Sequence, residues 1–105
     1  VRDGSDDPFL GCEPLVNGAE IAGRIAVVDR GECYFTVKVK NAQNAGAIAV
    51  LVVNNQPQGL PPMGGSDPTV EIPSVGISQT DGSRIKNALG WITTAPRRAG
   101  GRIAP

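Results

Sequence analysis

Three groups of residues have the types and spacing to do chemistry: Asp3, Asp6 and Asp7 near the start, the pair Cys12 and Cys33, and the charged run Asp29-Arg30-Gly31-Glu32. Carboxylates this close together supply the hard oxygen ligands that calcium takes. The spacing lacks the glycine and distal glutamate of a calcium-binding loop, so a solvated, flexible lead-in is the plainer expectation and no metal site is assigned. The two cysteines either pair or stand as free thiols. A single pair in a small, loop-rich chain points to an oxidising compartment. A bridge closing a loop of this size contributes about 3 kcal/mol on the chain-entropy model. A catalytic cysteine would need a general base beside it, and the chain contains no histidine.

The missing histidine removes further options. A Ser-His-Asp triad and a His-based zinc site are both excluded, and bridged cysteines would exclude a thiolate site as well. No GxxxxGK[ST] or GxGxxG pattern stands between a strand and a helix, so no phosphate cradle is present. Ser66, Ser74, Ser78 and Ser83, with Lys38, Lys40 and Lys86, leave a Ser–Lys dyad formally open. However, Lys38 and Lys40 fall on a helix face that reads as solvent-facing, and nothing marks a desolvated lysine. Asp29 with Asp67 or Asp81 could in principle share acid–base work, yet Thr80-Asp81-Gly82 has the wrong order for an aspartic-protease motif. No catalytic residue, metal or cofactor is therefore expected. What remains is recognition. Arg30 sits at the C-terminal end of a strand, where open α/β sheets bind ligands, and its planar fork of donors suits a carboxylate or a peptide carbonyl. The plain alternative is a local ion pair with Asp29 or Glu32.

The elements that must position these residues can be read from the pattern. Arg24 to Asp29 is a short run rich in β-branched residues, closed by a charge and Gly31, which reads as a buried strand. Phe35, Val39 and Ala42 recur at i, i+4 and i+7, one face of a helix. Lys38, Lys40, Asn41 and Asn44 are expected mostly on the other face, and Gly46 stands where a left-handed C-terminal cap belongs. Ala47 to Val53 is a second apolar run, ended by Asn54-Asn55. Strand, helix and strand make a βαβ unit. Asn17-Gly18 marks a turn. Gln56 to Thr69 forms the longest loop, a length that is usually functional or mobile. It offers Leu60 and Met63, which either cap the core or present an adaptable contact surface. Val70 to Ile77 suggests two short strand pieces with Pro73 at an edge or bend. Ser78-Gln79-Thr80-Asp81 is a capping box opening a second helix, with Ile85, Ala88 and Leu89 facing inward and Gly90 ending it. Trp91 to Thr94 reads as a last short strand, its tryptophan a core or interface anchor.

Length and charge set the bounds. The chain has 105 residues, enough for one domain with a modest core. Ten basic residues balance ten acidic ones, which argues against nucleic acid or an anionic membrane as the main partner, since both call for a basic excess. Aromatic residues make up 4%, so the core must come from Val, Ile, Leu and Ala. No apolar run approaches a membrane span. The start, VRDGSDD, has neither a basic nor an apolar stretch like a signal peptide, and the first residue is not Met. We expect a mature product or a piece of a larger chain.

The ordered set GCEPL, then DRGECYFTVKVKNAQNAGAIAVLVVNN, then IPSVGIS resembles the protease-associated (PA) domain, over roughly Gly11 to Leu89. The resemblance implies an α/β (α+β) fold, a β-sandwich or open barrel of swivelling type, with a central βαβ unit and two flanking helices. It implies a Cys12–Cys33 disulfide, since many extracellular PA domains carry cysteines at these two places. It divides the chain into a polar lead-in (1–10), the domain (11–95) and a flexible basic tail or linker (96–105). The family usually has one more strand before the first cysteine, so an open sheet edge or strand exchange between copies is also expected. PA domains of plant vacuolar sorting receptors hold cargo peptide with a turn like that at Arg30, and the loop after the second core strand borders the groove. The resemblance thus marks Arg30, Gly31, Glu32, Leu60, Met63 and Asp67 as candidate peptide-binding residues. Three roles follow: an accessory module of a secreted subtilisin-like protease or metallopeptidase that docks substrate or restricts active-site access; a structural spacer or dimerisation element; and a sorting-receptor-like cargo binder. The expected partners are polypeptide substrate, the catalytic domain of the same host chain, or a second copy in a homodimer, in a secreted, extracellular setting.

Overall fold

In the computed structural model, which describes residues 1–90, the two β-branched runs form neighbouring parallel strands. Strand β1 is Ile25–Asp29 and β2 is Ala49–Val53, paired in register from Ile25 with Ala49 to Asp29 with Val53. A third strand, β3 (Ser74–Ile77), runs parallel on the far side of β2, giving the open order β1-β2-β3. Helix α2 (Phe35–Asn44) links β1 to β2 and completes the βαβ unit. Residues 54–73 link β2 to β3 with no helix or strand of their own. Helix α3 (Gln79–Leu89) closes the described chain, and a single turn, α1 (Gly18–Ile21), precedes β1. The architecture is thus the expected mixture of helix and strand around a βαβ unit with two flanking helices, built on an open sheet.

The core consists of small branched side chains, as the low aromatic content requires. Val28, Val50 and Val52 are fully buried, and Ala26, Val39 and Ala42 complete the layer between α2 and the sheet. Helix α2 ends in the expected way: Ala45 closes it, and Gly46 follows at φ 97° with its nitrogen on the Gln43 carbonyl. Helix α3 begins on Ser78, whose hydroxyl accepts from the Asp81 N–H at 3.0 Å. Its approach to the sheet is set by Gly82, which is buried against Val53; a Cβ there would overlap the Val53 methyls. Ile85 and Leu89 are partly buried, but Ala88, expected inward, is exposed. The helix rests on the sheet chiefly through its glycine, and that rotates Ala88 outward.

Two further expectations change. Residues 1–10 are a solvated lead-in only in part: Arg2 and Gly4 to Asp7 are exposed, but the rest is anchored. Val1, Asp3 and Leu10 are buried, the Phe9 carbonyl accepts from the Asp29 N–H at 2.9 Å, and Asp3 forms an antiparallel bridge with Leu15. The segment covers the outer edge of β1, where donors would otherwise be left open. Of the two strand pieces expected in Val70 to Ile77, only the second forms. The Gln43 side chain on α2 accepts from the Glu71 and Ile72 N–H groups at 2.6 and 3.3 Å, so those donors are engaged outside any ladder. The strand expected at Trp91 to Thr94 and the tail 96–105 lie outside the described residues. Among the described residues no helix is long and apolar enough to cross a membrane.

Candidate functional site

The scaffold under the site comes from the inward face of α2. Lys38 was expected on the solvent side. Instead it is completely buried, and its Nζ donates to the Leu10 and Gly31 carbonyls, each at 2.8 Å, while lying 3.6 Å from the Cys12 sulfur. The pattern carried a signal for this: Lys38 is i+3 from Phe35 and i−4 from Ala42, inside the apolar arc. Burial lowers its pKa from 10.5 to about 8, against the opposing pull of Asp29, Asp3, Asp7 and Glu32. One turn on, Asn41 donates to the Gly11 carbonyl at 2.8 Å. Cys12 and Cys33 are joined by a disulfide, with Cα atoms 5.8 Å apart. The disulfide and Lys38 therefore hold the 10–12 loop to the 30–33 turn, and Asn41 ties the same loop to α2. The turn also needs its glycine: Gly31 has φ 141°, and a Cβ there would come within 3.2 Å of Leu10.

Above this scaffold, at the C-terminal ends of β1 and β2, opens a cleft of about 900 Å³. Its floor carries Arg30, Gly31 and Glu32, with Asn54 and Asn55 from β2's end, Asp6 and Asp7 from the N-terminal loop, and one face of α3 at Gln79, Ser83 and Lys86. The Arg30 backbone N–H extends the sheet by donating to the Val53 carbonyl at 2.9 Å. Its guanidinium pairs with neither Asp29 nor Glu32. It donates through one terminal nitrogen to Asn54 Oδ1 at 2.8 Å. Asn54 is buried and donates in turn to the Gln58 and Gly59 carbonyls at 3.3 and 3.1 Å, so it both orients Arg30 and anchors the following loop. In the sequence Asn54 reads only as a strand ending. Its role follows from register, since Asp29 pairs with Val53 and the next residues on each strand are neighbours. Asp29 is ion-paired with Lys86 across the cleft floor. Among the described residues no other acceptor takes the remaining donors of Arg30, which lines the cleft.

The other candidate residues lie elsewhere. Met63 and Asp67 line a separate groove of about 430 Å³ with Phe35, Val39 and Val70. Met63 packs on the core and against Gly76, whereas Leu60 is exposed and lines neither cavity. The loop thus turns Met63 inward and leaves Leu60 exposed. Asp67 holds its own turn, accepting from the Thr69 N–H and hydroxyl at 2.8 and 2.6 Å, and these bonds lower its pKa. Asp3 does not converge with Asp6 and Asp7. Burial opposes its ionisation, but hydrogen bonds from Ser5, Glu13 and Cys12 outweigh that and hold its pKa below the ordinary value. Of the lysines weighed for a Ser–Lys dyad, Lys40 reaches the Thr69 carbonyl and Lys86 the Asp29 carboxylate.

The PA domain family profile matches residues 2–85. Signal peptide peptidase-like 2 of Arabidopsis thaliana is 36% identical over 86 residues, covering 79% of this chain and 16% of that protein. Vacuolar-sorting receptor 2 of the same organism is 42% identical over 72 residues, covering 60% and 12%. Among solved structures, a zinc aminopeptidase from Bacillus subtilis superposes with a TM-score of 0.57 at 36% identity, over 66% of this chain and 17% of the other. The chain spans under a fifth of the length of each of these proteins.

Proposed function

The chain belongs to the PA domain family, and from that premise we propose that it is a non-catalytic accessory module of a larger peptidase, binding polypeptide in the Arg30 cleft. One observation carries this reading. Arg30 projects into a large open cleft at the C-terminal edge of the sheet, oriented by buried Asn54 and keeping donors to spare. A guanidinium held by one neutral hydrogen bond keeps its charge for a ligand, and its fork matches a carboxylate or a run of main-chain carbonyls. The pinned loops beneath it reduce the ordering that binding would otherwise require. The likeness to a zinc aminopeptidase supports a peptidase host, in which the cleft docks substrate or restricts entry to the active site. The Cys12–Cys33 bond supports a secreted, oxidising setting. The likeness to a vacuolar-sorting receptor favours a second reading, in which the same Arg30 turn holds a cargo peptide.

The test is a two-dimensional amide NMR titration with a pool of short unstructured peptides. The reading expects shifts clustered at Arg30 to Glu32, Asn54 and Gln79. Absence of shifts at millimolar peptide would refute it and leave a spacer role in front.

A further inference from the structure

Charge is spread unevenly over this neutral chain. Among the described residues, five acidic side chains line the cleft (Asp6, Asp7, Glu13, Asp29 and Glu32), against two basic ones, Arg30 and Lys86. Asp29 and Lys86 neutralise each other. The other four carboxylates are exposed, and among the described residues none of them is paired with a cation. Among the described residues the cleft therefore presents one guanidinium not paired with an acid, that of Arg30, and four open carboxylates.

From this we infer that the cleft selects polypeptide segments carrying lysine or arginine beside the group that Arg30 grips; the inference rests on the peptide-binding reading above and names its substrate class. A concave wall of one charge sign focuses its field on the ligand. An acidic peptide would satisfy Arg30 while meeting four like charges. A basic one satisfies both, provided a carbonyl or terminal carboxylate reaches Arg30. The carboxylates also do not converge on a point: among the described residues no group of three acidic or cysteine side chains could hold a metal ion. Spaced charges along a trough fit an extended ligand with spaced cations better than a single ion. The same rim repels phosphate, so it disfavours nucleic acid.

The experiment uses three peptides of seven residues with a free C-terminal carboxylate, identical except at two positions that are both Lys, both Gln or both Glu. Their affinities are read by NMR titration at low and high salt, on the native chain and on Asp6→Asn/Asp7→Asn. Asp3 is left intact because its carboxylate is tied to backbone. On the native chain the Lys peptide should bind about tenfold tighter than the Gln peptide at low salt, and the Glu peptide weakest, each exposed pair adding a factor of a few. The preference should shrink toward unity in about 0.5 M salt and fall severalfold in the double variant, whose amide spectrum should otherwise match the native one. Equal affinities, or tighter binding of the Glu peptide, would overturn the charge selection and leave peptide binding standing. No binding of any peptide would overturn both. Should the double variant lose its native spectrum, the salt dependence on the native chain decides by itself.

Discussion

Lys38 offers the sharpest energetic test of the scaffold beneath the cleft. Its ammonium is buried beside the disulfide, and burial lowers its pKa from 10.5 to about 8. Between those two values the unfolded chain holds a proton that the folded chain has released. Unfolding therefore takes up a proton, and stability rises with pH across that window. The contribution is complete above 10.5 and is lost as pH falls through 8. Integrating the linkage from pH 7 to 9.5 gives roughly 2 kcal/mol of added stability from this single group. Neutral Lys38 can still donate to the Leu10 and Gly31 carbonyls, so the gain does not come at the expense of those bonds. The assay is urea unfolding of the native chain and of Lys38→Met at both pH values. The native chain should gain roughly 2 kcal/mol more than the variant between pH 7 and 9.5. The variant should also be weaker at pH 9.5, by about 1–3 kcal/mol for each carbonyl left without a donor. An identical pH dependence in the two proteins would refute the buried-ammonium argument.

Two other perturbations test the packing that positions the site. Gly82→Ala should destabilise by about 1–3 kcal/mol through overlap with Val53, reversing the gain of up to about 1 kcal/mol that alanine normally brings to a helix interior; denaturant midpoints would decide the sign. Replacing both cysteines with serine opens a link between residues 21 apart in sequence and should cost about 3 kcal/mol, with amide shifts in the NMR spectrum concentrated at residues 10–13 and 30–34. An unchanged midpoint would mean that Lys38 alone suffices to hold the two loops together.

The βαβ unit was legible because its signals are local. Two β-branched runs, one apolar helical stripe and a glycine in the left-handed region at position 46 each follow from near-neighbour chemistry. The cleft was half legible. Arg30 could be placed at a strand end, but its partner is 24 residues away, and only the strand register brings Asn54 beside it. Lys38 reads as solvent-facing because it is charged, although it sits inside the apolar arc and is buried. The carbonyls that accept its protons belong to distant loops, one of them 28 residues back. The loop split for the same reason. Met63 packs against Gly76 of β3, more than ten residues on in sequence, while Leu60 stays exposed. The Gln43 side chain that keeps Glu71 and Ile72 out of a strand sits on a helix 28 residues earlier, beyond the reach of any local pattern.

The central claim is that Arg30 grips polypeptide in this cleft. Its most direct test is the affinity of the neutral Gln peptide, which leaves the acidic rim out of the comparison, for the native chain, Arg30→Lys and Arg30→Glu. The account predicts partial weakening with lysine, which keeps the charge but loses the fork, and loss of at least about tenfold with glutamate, the worth of one charge-assisted hydrogen bond. Native affinity in a correctly folded Arg30→Glu protein would contradict it.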